Sequence, residues 1–341
     1  MAGVSEGTVD RILHGRPNVS AKAMANVNAV LEKINYKPNI IARSLGRGKS
    51  IRIAVFIPDT KADPYWAEAN KGMAQAQEEW GHYGITVDSF QYEHDGKSSL
   101  EIVGEELLKS KPNGVVMAPI FYPQALTFLN KLREYKIPYI LFNDNIAEAD
   151  PISFIGQDLM QSGKLAAELM SLSHGQDEEL VILHMGEDVK DSIYLEEKEK
   201  GFRNFYLSNG HQPAGISSIS IGAQEKSYRK KIELLLKNQK VKGIFVTTSK
   251  GTATIAKMLH ESLRKDIRLI GYDILKDNLK FLKQGTINFL INQNPKRQAF
   301  LGINYMVNHL LFKKKVPATD LFPLEIITKQ NVDSFLTSTI H

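Results

Sequence analysis

From Ile51 to Asn292 the sequence repeats one texture, short and nearly continuous apolar runs separated by stretches of helical length. The runs are IRIAVFI, ITVDSF, GVVMAPI, IPYILF, ISFIG, LVILHM, ISSISI, GIFVT, IRLIGY and INFLI; segments such as YWAEANKGMAQAQEEWGHYG and LAAELMSLS lie between them. A strand that is apolar on both faces must be covered on both, and a helical crossover between parallel strands supplies that cover. The texture therefore restricts this part of the chain to an α/β fold with parallel sheets wrapped by helices. About ten such strands are too many for one compact doubly wound sheet, so the chain is expected to divide near Gly156 into two lobes.

The first fifty residues read differently. Val4, Val9, Ile12 and Leu13 recur at helical spacing, with Ser5 placed to cap a helix and Gly15 to end it. After the turn-rich RPNVS, Ser20 caps a second helix whose Met24, Val27, Leu31 and Ile34 form one apolar stripe. Tyr36-Lys37-Pro38 breaks that helix, Asn39 opens a short one over IIARSLG, and Gly46 and Gly48 make a joint. The net charge of +5 lies wholly here, because residues 1–50 hold 8 Lys and Arg against 3 Asp and Glu while the rest carries 35 of each. A concentrated basic segment suits a polyanionic partner.

Several function classes drop out. The chain has no cysteine, which removes disulfides and thiolate metal sites, and its nine histidines form no HExxH and no i, i+4 pair. No GxSxG elbow and no GxGxxG after a strand occurs; GRGKS at 46–50 has Arg43 where a P-loop needs glycine, and a strand where it needs a helix. No enzyme, cofactor or metal is expected. There is no apolar run of about 18 residues and no secretory leader, so no membrane partner is expected and the location is read as cytoplasmic.

The stretch AGVSEGTVDRILHGRPNVSAKAMANVNAVLEKINYKPNIIARSLGRGKS, with AGVS, TV-x-R, VS-x-K, NYKPN and IARSL in order, resembles the LacI/GalR family of bacterial transcription regulators. The remainder resembles that family's sugar-binding core in its ribose-binding-protein-like, type 1 periplasmic-binding-protein branch. The resemblance implies α/β architecture of two doubly wound parallel-sheet lobes, preceded by a small all-α helix-turn-helix headpiece truncated of its first helix, which would precede Ala2. It implies a headpiece over 1–38, a hinge helix and linker over 39–50, and an effector-binding and dimerisation core over 51–341. Within the core, the amino lobe would take 51–157 and 294–322, and the carboxy lobe 158–293 and 323–341.

A helix starting at Ser5 suits the major groove, with candidates for DNA contact at Ser5, Glu6, Thr8, Arg11 and His14. By the resemblance Arg11 is the base-reading arginine, able to make a bidentate contact to guanine, and Glu6 would accept from cytosine. Gly7 stands where relatives often read a base and has no side chain to do so. Lys22 suits phosphate contact, and Asn39, Arg43 and Leu45 fall in the hinge, with Leu45 as a minor-groove wedge. Ligands of doubly wound sheets bind beyond the carboxyl ends of strands. That rule selects Asp59, Asp63, Tyr65, Trp66, Asn143, Asp144, Gln157, Asp158, Thr248, Ser249, Asp273 and Gln293. The resemblance narrows the ligand-binding set to Asp63, Tyr65, Trp66, Asn143, Asp144, Thr248, Asp273 and Gln293. Amides, carboxylates and aromatic faces together suit a polyol. Asp144 stands where the ribose-type pattern has arginine, which predicts a cleft more acidic than that pattern. The expected function is a sugar-responsive, homodimeric regulator of operator DNA; a solute-binding protein without a DNA-binding role is the alternative.

Overall fold

The computed structural model describes residues 2–13, 17–33, 50–93, 97–172, 178–186, 192–209, 215–222 and 227–337. His14, Asn39, Arg43 and Leu45, named above as DNA-contacting candidates, lie outside them. The chain divides into two compact units, Met1–Ser50 and Ile51–His341.

In the first unit, helix α1 spans Glu6–Leu13 and α2 spans Ala21–Lys33. Ser5 caps α1, since its Oγ accepts from the Thr8 amide at 3.3 Å and shares a hydrogen bond with Thr8 Oγ1 at 2.9 Å. Ser20 does the same for α2 through the Ala23 amide at 3.2 Å. Each bond satisfies an amide that the first helical turn leaves without a partner. Val27 is fully buried, whereas Glu6, Arg11 and Lys22 are exposed.

The second unit alternates strand and helix. Its strands are β1 (Ile51–Pro58), β2 (Ile85–Tyr92), β3 (Gly114–Met117), β4 (Tyr139–Asn143), β5 (Ser153–Gly156), β6 (Glu179–Gly186), β7 (Gly215–Gly222), β8 (Val241–Val246), β9 (Arg268–Tyr272), β10 (Phe289–Asn292), β11 (Thr319–Leu321) and β12 (Glu325–Ile327). Its helices are α3 (Pro64–Gly81), α4 (Lys97–Lys109), α5 (Tyr122–Glu134), α6 (Leu159–Ser171), α7 (Ile193–Asn209), α8 (Tyr228–Lys237), α9 (Ser249–Ser262), α10 (Lys276–Lys283), α11 (Pro295–Leu310) and α12 (Val332–Thr337).

Two six-stranded sheets result, ordered β11-β5-β4-β3-β1-β2 and β12-β10-β9-β8-β6-β7. All neighbouring strands run parallel except β12, which pairs antiparallel with β10. The doubly wound α/β class expected from the apolar runs is the observed one, and all ten runs are strands. Burial follows strand position. β3 and β5 are buried throughout, while the edge strand β7 exposes Ser217 and Ser218. The period of two is plain in β6, where Leu180 and Ile182 join the core under α6 and α7 while Val181 and Leu183 join the core on the other face.

The chain passes between lobes more than once. It leaves the first sheet after β5, returns after β10 to lay α11 on the amino-lobe core, adds β11, then crosses again to β12. Gln157 ties these passages together, because its Nε2 donates to the Asn292 carbonyl at 2.9 Å and the Pro323 carbonyl at 3.0 Å. Proposed above as a cleft residue, Gln157 is a hinge residue in the structure.

Within the carboxy lobe α6 and α7 cross at backbone contact. A β-carbon on Gly163 would lie 2.0 Å from the Lys198 carbonyl oxygen, and one on Gly201 would lie 2.0 Å from that of Met160. Only glycine permits this approach.

Candidate functional site

The strand-end residues converge between the lobes of the second unit. On the amino-lobe side, Asp63 caps α3 by accepting from the Tyr65 amide at 2.9 Å, and Pro64 starts the helix. The cap points Tyr65 and Trp66 inward. The Tyr65 hydroxyl donates to Asn143 Oδ1 at 2.5 Å, and its ring meets that of Trp66 edge-on at 4.9 Å. Burial holds the Tyr65 phenol well above its ordinary pKa, with Asp273, Asp144 and Asp63 adding to the effect. Trp66 is 3% exposed and also packs on Phe142, so its ring is as much core as cleft wall.

Asn143 ends β4 in the left-handed region, φ 70°, a conformation asparagine tolerates better than most residues. Its amide donates to Gln298 Oε1 at 2.9 Å and its Nδ2 to Asp144 Oδ2 at 3.0 Å. Gln298 in turn donates to the Gln293 carbonyl at 2.8 Å, so a continuous hydrogen-bonded path runs from one side of the cleft to the other.

On the carboxy-lobe side Asp273, also left-handed at φ 62°, is 1% exposed. Its Oδ1 accepts from the Gln293 amide at 2.7 Å; its Oδ2 accepts from Gln293 Nε2 at 2.7 Å and from Ser249 Oγ. Burial raises its pKa even though those bonds and nearby Lys198 favour the carboxylate. Asp273 thus stands behind the cavity wall and fixes Gln293 and Ser249, which face it. Thr248, at the start of α9, is held by a 3.0 Å bond from its hydroxyl to the Met185 carbonyl.

These groups enclose a cavity of about 40 Å³ lined by Asp63, Tyr65, Trp66, Asn143, Thr248, Ser249 and Gln293, with Ile120, Tyr194, Lys198 and Thr247 completing it. Asp144 and Asp273 adjoin it without lining it. Of the other strand-end candidates, Asp158 caps α6 through the Gln161 amide at 2.9 Å, and Asp59 accepts from the Lys61 amide at 2.8 Å.

Sequence reasoning missed Lys198. It is 1% exposed, its Nζ donates to the Thr247 carbonyl at 3.1 Å and Gln293 Oε1 at 3.3 Å, and it sits 3.7 Å from the centre of the Tyr272 ring. The charge run YLEEKEKGF reads as a solvated helix face. The available signal was spacing: Leu195, Lys198, Phe202 and Tyr206 form one stripe, all buried, with a lysine set among hydrophobic residues. This ammonium corrects the expectation of a purely acidic cleft, since it offsets Asp273. Chemically, the cavity presents hydroxyl, amide and ammonium donors and carbonyl acceptors beside aromatic rings, the complement of a small polyhydroxylated molecule.

Among the described residues no group of His, Asp and Glu is placed to hold a metal ion, and no helix is long and apolar enough to cross a membrane.

Comparison with known proteins agrees with this geometry. Residues 53–314 match the periplasmic binding protein domain, and residues 1–39 match the bacterial regulatory proteins of the lacI family. The chain is 24% identical to the sucrose operon repressor of Streptococcus mutans over 97% of both chains. A Bacteroides fragilis chain described as a LacI transcriptional regulator superposes with a TM-score of 0.79 at 30% identity, over 84% of this chain and 99% of that one. A solute binding protein of an ABC transporter from Burkholderia graminis, crystallised with D-arabinose, shares the fold with a TM-score of 0.74 at 20% identity, over 84% of this chain and 98% of that one. Such relatives of the whole chain are transcription regulators and not enzymes. A helical lacI-type segment leading into a two-lobed binding core is the family's plan, and the chain belongs to the LacI family of DNA-binding transcription regulators.

Proposed function

We propose that the chain is a carbohydrate-responsive repressor that works as a homodimer, binding a small neutral sugar between its lobes and changing its grip on operator DNA as it does so. The observation that carries this reading is the cavity itself, in which Asp63, Tyr65, Trp66 and Asn143 of one lobe meet Thr248, Lys198 and Gln293 of the other. A ligand touching both lobes binds the closed arrangement better than an open one and so shifts the population toward closure. The closed arrangement has its own cross-lobe bond, from Lys250 Nζ to the Ala62 carbonyl at 2.9 Å.

In the headpiece, the exposed Glu6 and Arg11 of α1 are the proposed base readers and Lys22 of α2 a proposed phosphate contact. Ser5 and Thr8, whose hydroxyls bond one another at 2.9 Å, are proposed to meet the DNA backbone at the helix start. The lacI-type segment favours this regulator over a solute-binding protein.

A thermal-shift screen of neutral sugars tests the reading. A specific effector at a hundred times its Kd stabilises the protein by about 2.7 kcal/mol, a clear rise in Tm. If no carbohydrate raises the Tm, the sugar-sensing role is wrong.

A further inference from the structure

The cleft has two ends of very different size. The inner end, about 40 Å³, has room for about three waters. Toward the β2 and β7 edges it widens into a chamber of about 560 Å³, a size typical of small-molecule sites. Asp63 and Thr248 line both, so the two spaces adjoin. The chamber is built by both lobes, with Asp59 and Glu93 on one side and Met185, Ile221, Tyr228 and Thr254 on the other.

Its chemistry is that of a second sugar site. Tyr228 is half-buried against the carboxy-lobe core and, with Met185 and Ile221, gives an apolar floor of the kind that the face of a pyranose ring covers. Asp59, Asp63 and Glu93 supply carboxylates that accept from hydroxyls and repel anions. The cation in the chamber wall, Lys250, already donates to the Ala62 carbonyl. A single ring held at the inner end leaves this floor under water; a second ring joined to it displaces that water and buries the floor.

We infer that the effector is a neutral two-ring glycoside, with one ring at the inner end of the cleft and the second in the chamber against Tyr228. This rests on the carbohydrate reading above. It also means that phosphorylated sugars bind worse than their neutral parents, because the chamber's carboxylates outnumber its one ammonium.

Titration calorimetry of the full chain tests it, using glucose, galactose, mannose, ribose and arabinose against sucrose, maltose, lactose, cellobiose and trehalose, with the 6-phosphate of the best disaccharide. At least one disaccharide is expected to bind about tenfold or more tighter than any monosaccharide, and its phosphate more weakly. Tyr228→Ala is expected to weaken the disaccharide about tenfold and leave the best monosaccharide within about twofold. Thr254→Trp fills the chamber from α9 without touching the Tyr228 packing, and is expected to abolish the preference. A monosaccharide that binds as tightly as every disaccharide, variants that weaken both classes alike, or a phosphate that binds as well as its parent would each overturn the inference while leaving the sugar reading intact. Binding of none of these sugars overturns both.

Discussion

Beneath the cleft, His184 is fully buried, with Nδ1 bonded to Thr247 Oγ1 at 2.9 Å and Nε2 to Glu199 Oε2 at 2.7 Å. Glu199 also accepts from Arg203 Nε and Ser218 Oγ, at 2.7 and 2.6 Å. The His184 bond is the main reason its pKa falls to about 2; burial opposes the shift, and Ser218 and Arg203 reinforce it. A carboxylate whose folded pKa lies below its ordinary 4.5 adds stability above pH 4.5 and loses it as the pH falls toward 2. Glu199→Gln is therefore expected to flatten the loss of stability across that window. Urea unfolding of both proteins at stepped pH measures it, and equal slopes would show that the carboxylate contributes nothing. At this scale the sequence was a partial guide. Asp63, Asn143 and Thr248 could be found from their place after strands, because strand ends deliver side chains to one shared edge. The same rule marked Asp273 as facing the ligand, and it could not foresee that Gln293 and Ser249 would occupy its carboxylate.

The strands β1 to β10 were legible because burial on both faces demands apolar residues at every position, a pattern few other structures produce. β11 and β12 were not, since each has three residues at a sheet edge and carries no period long enough to read. The crossing of α6 and α7 was also hidden, because a lone glycine in a helix signals nothing about which carbonyl it approaches. Its energetic weight is testable. In Gly201→Ala the new β-carbon would meet the Met160 backbone oxygen at 2.0 Å, and no side-chain rotation relieves a clash with backbone. The helices must part, at a cost of about 1–3 kcal/mol, seen as a lower Tm. Because α7 also carries Lys198 and Glu199, the variant is expected to weaken sugar binding with no substitution in the cleft. An unchanged Tm would mean that the two helices are not held as closely as described.

At the scale of the whole molecule, neither lobe is a continuous piece of chain, because α11 and β11 complete the amino lobe only after β10 has closed most of the carboxy lobe's sheet. α11 buries Ala299, Ile303, Met306 and Val307 in the amino-lobe core, and Gly302 brings it so near β3 that a β-carbon there would lie 2.8 Å from Val116. A chain ended at Asn292 thus keeps β6 to β10 but loses the helix that covers β3, β4 and β5. Hydrogen exchange on such a chain is expected to show amides of β3 and β4 losing protection before those of β6 and β8. The reverse order would contradict the packing. Synthesis on the ribosome meets the same constraint. The half of the core made first waits, with one face of its sheet uncovered, until the half made second has passed through, and during that wait it is the part most exposed to aggregation and most in need of a chaperone.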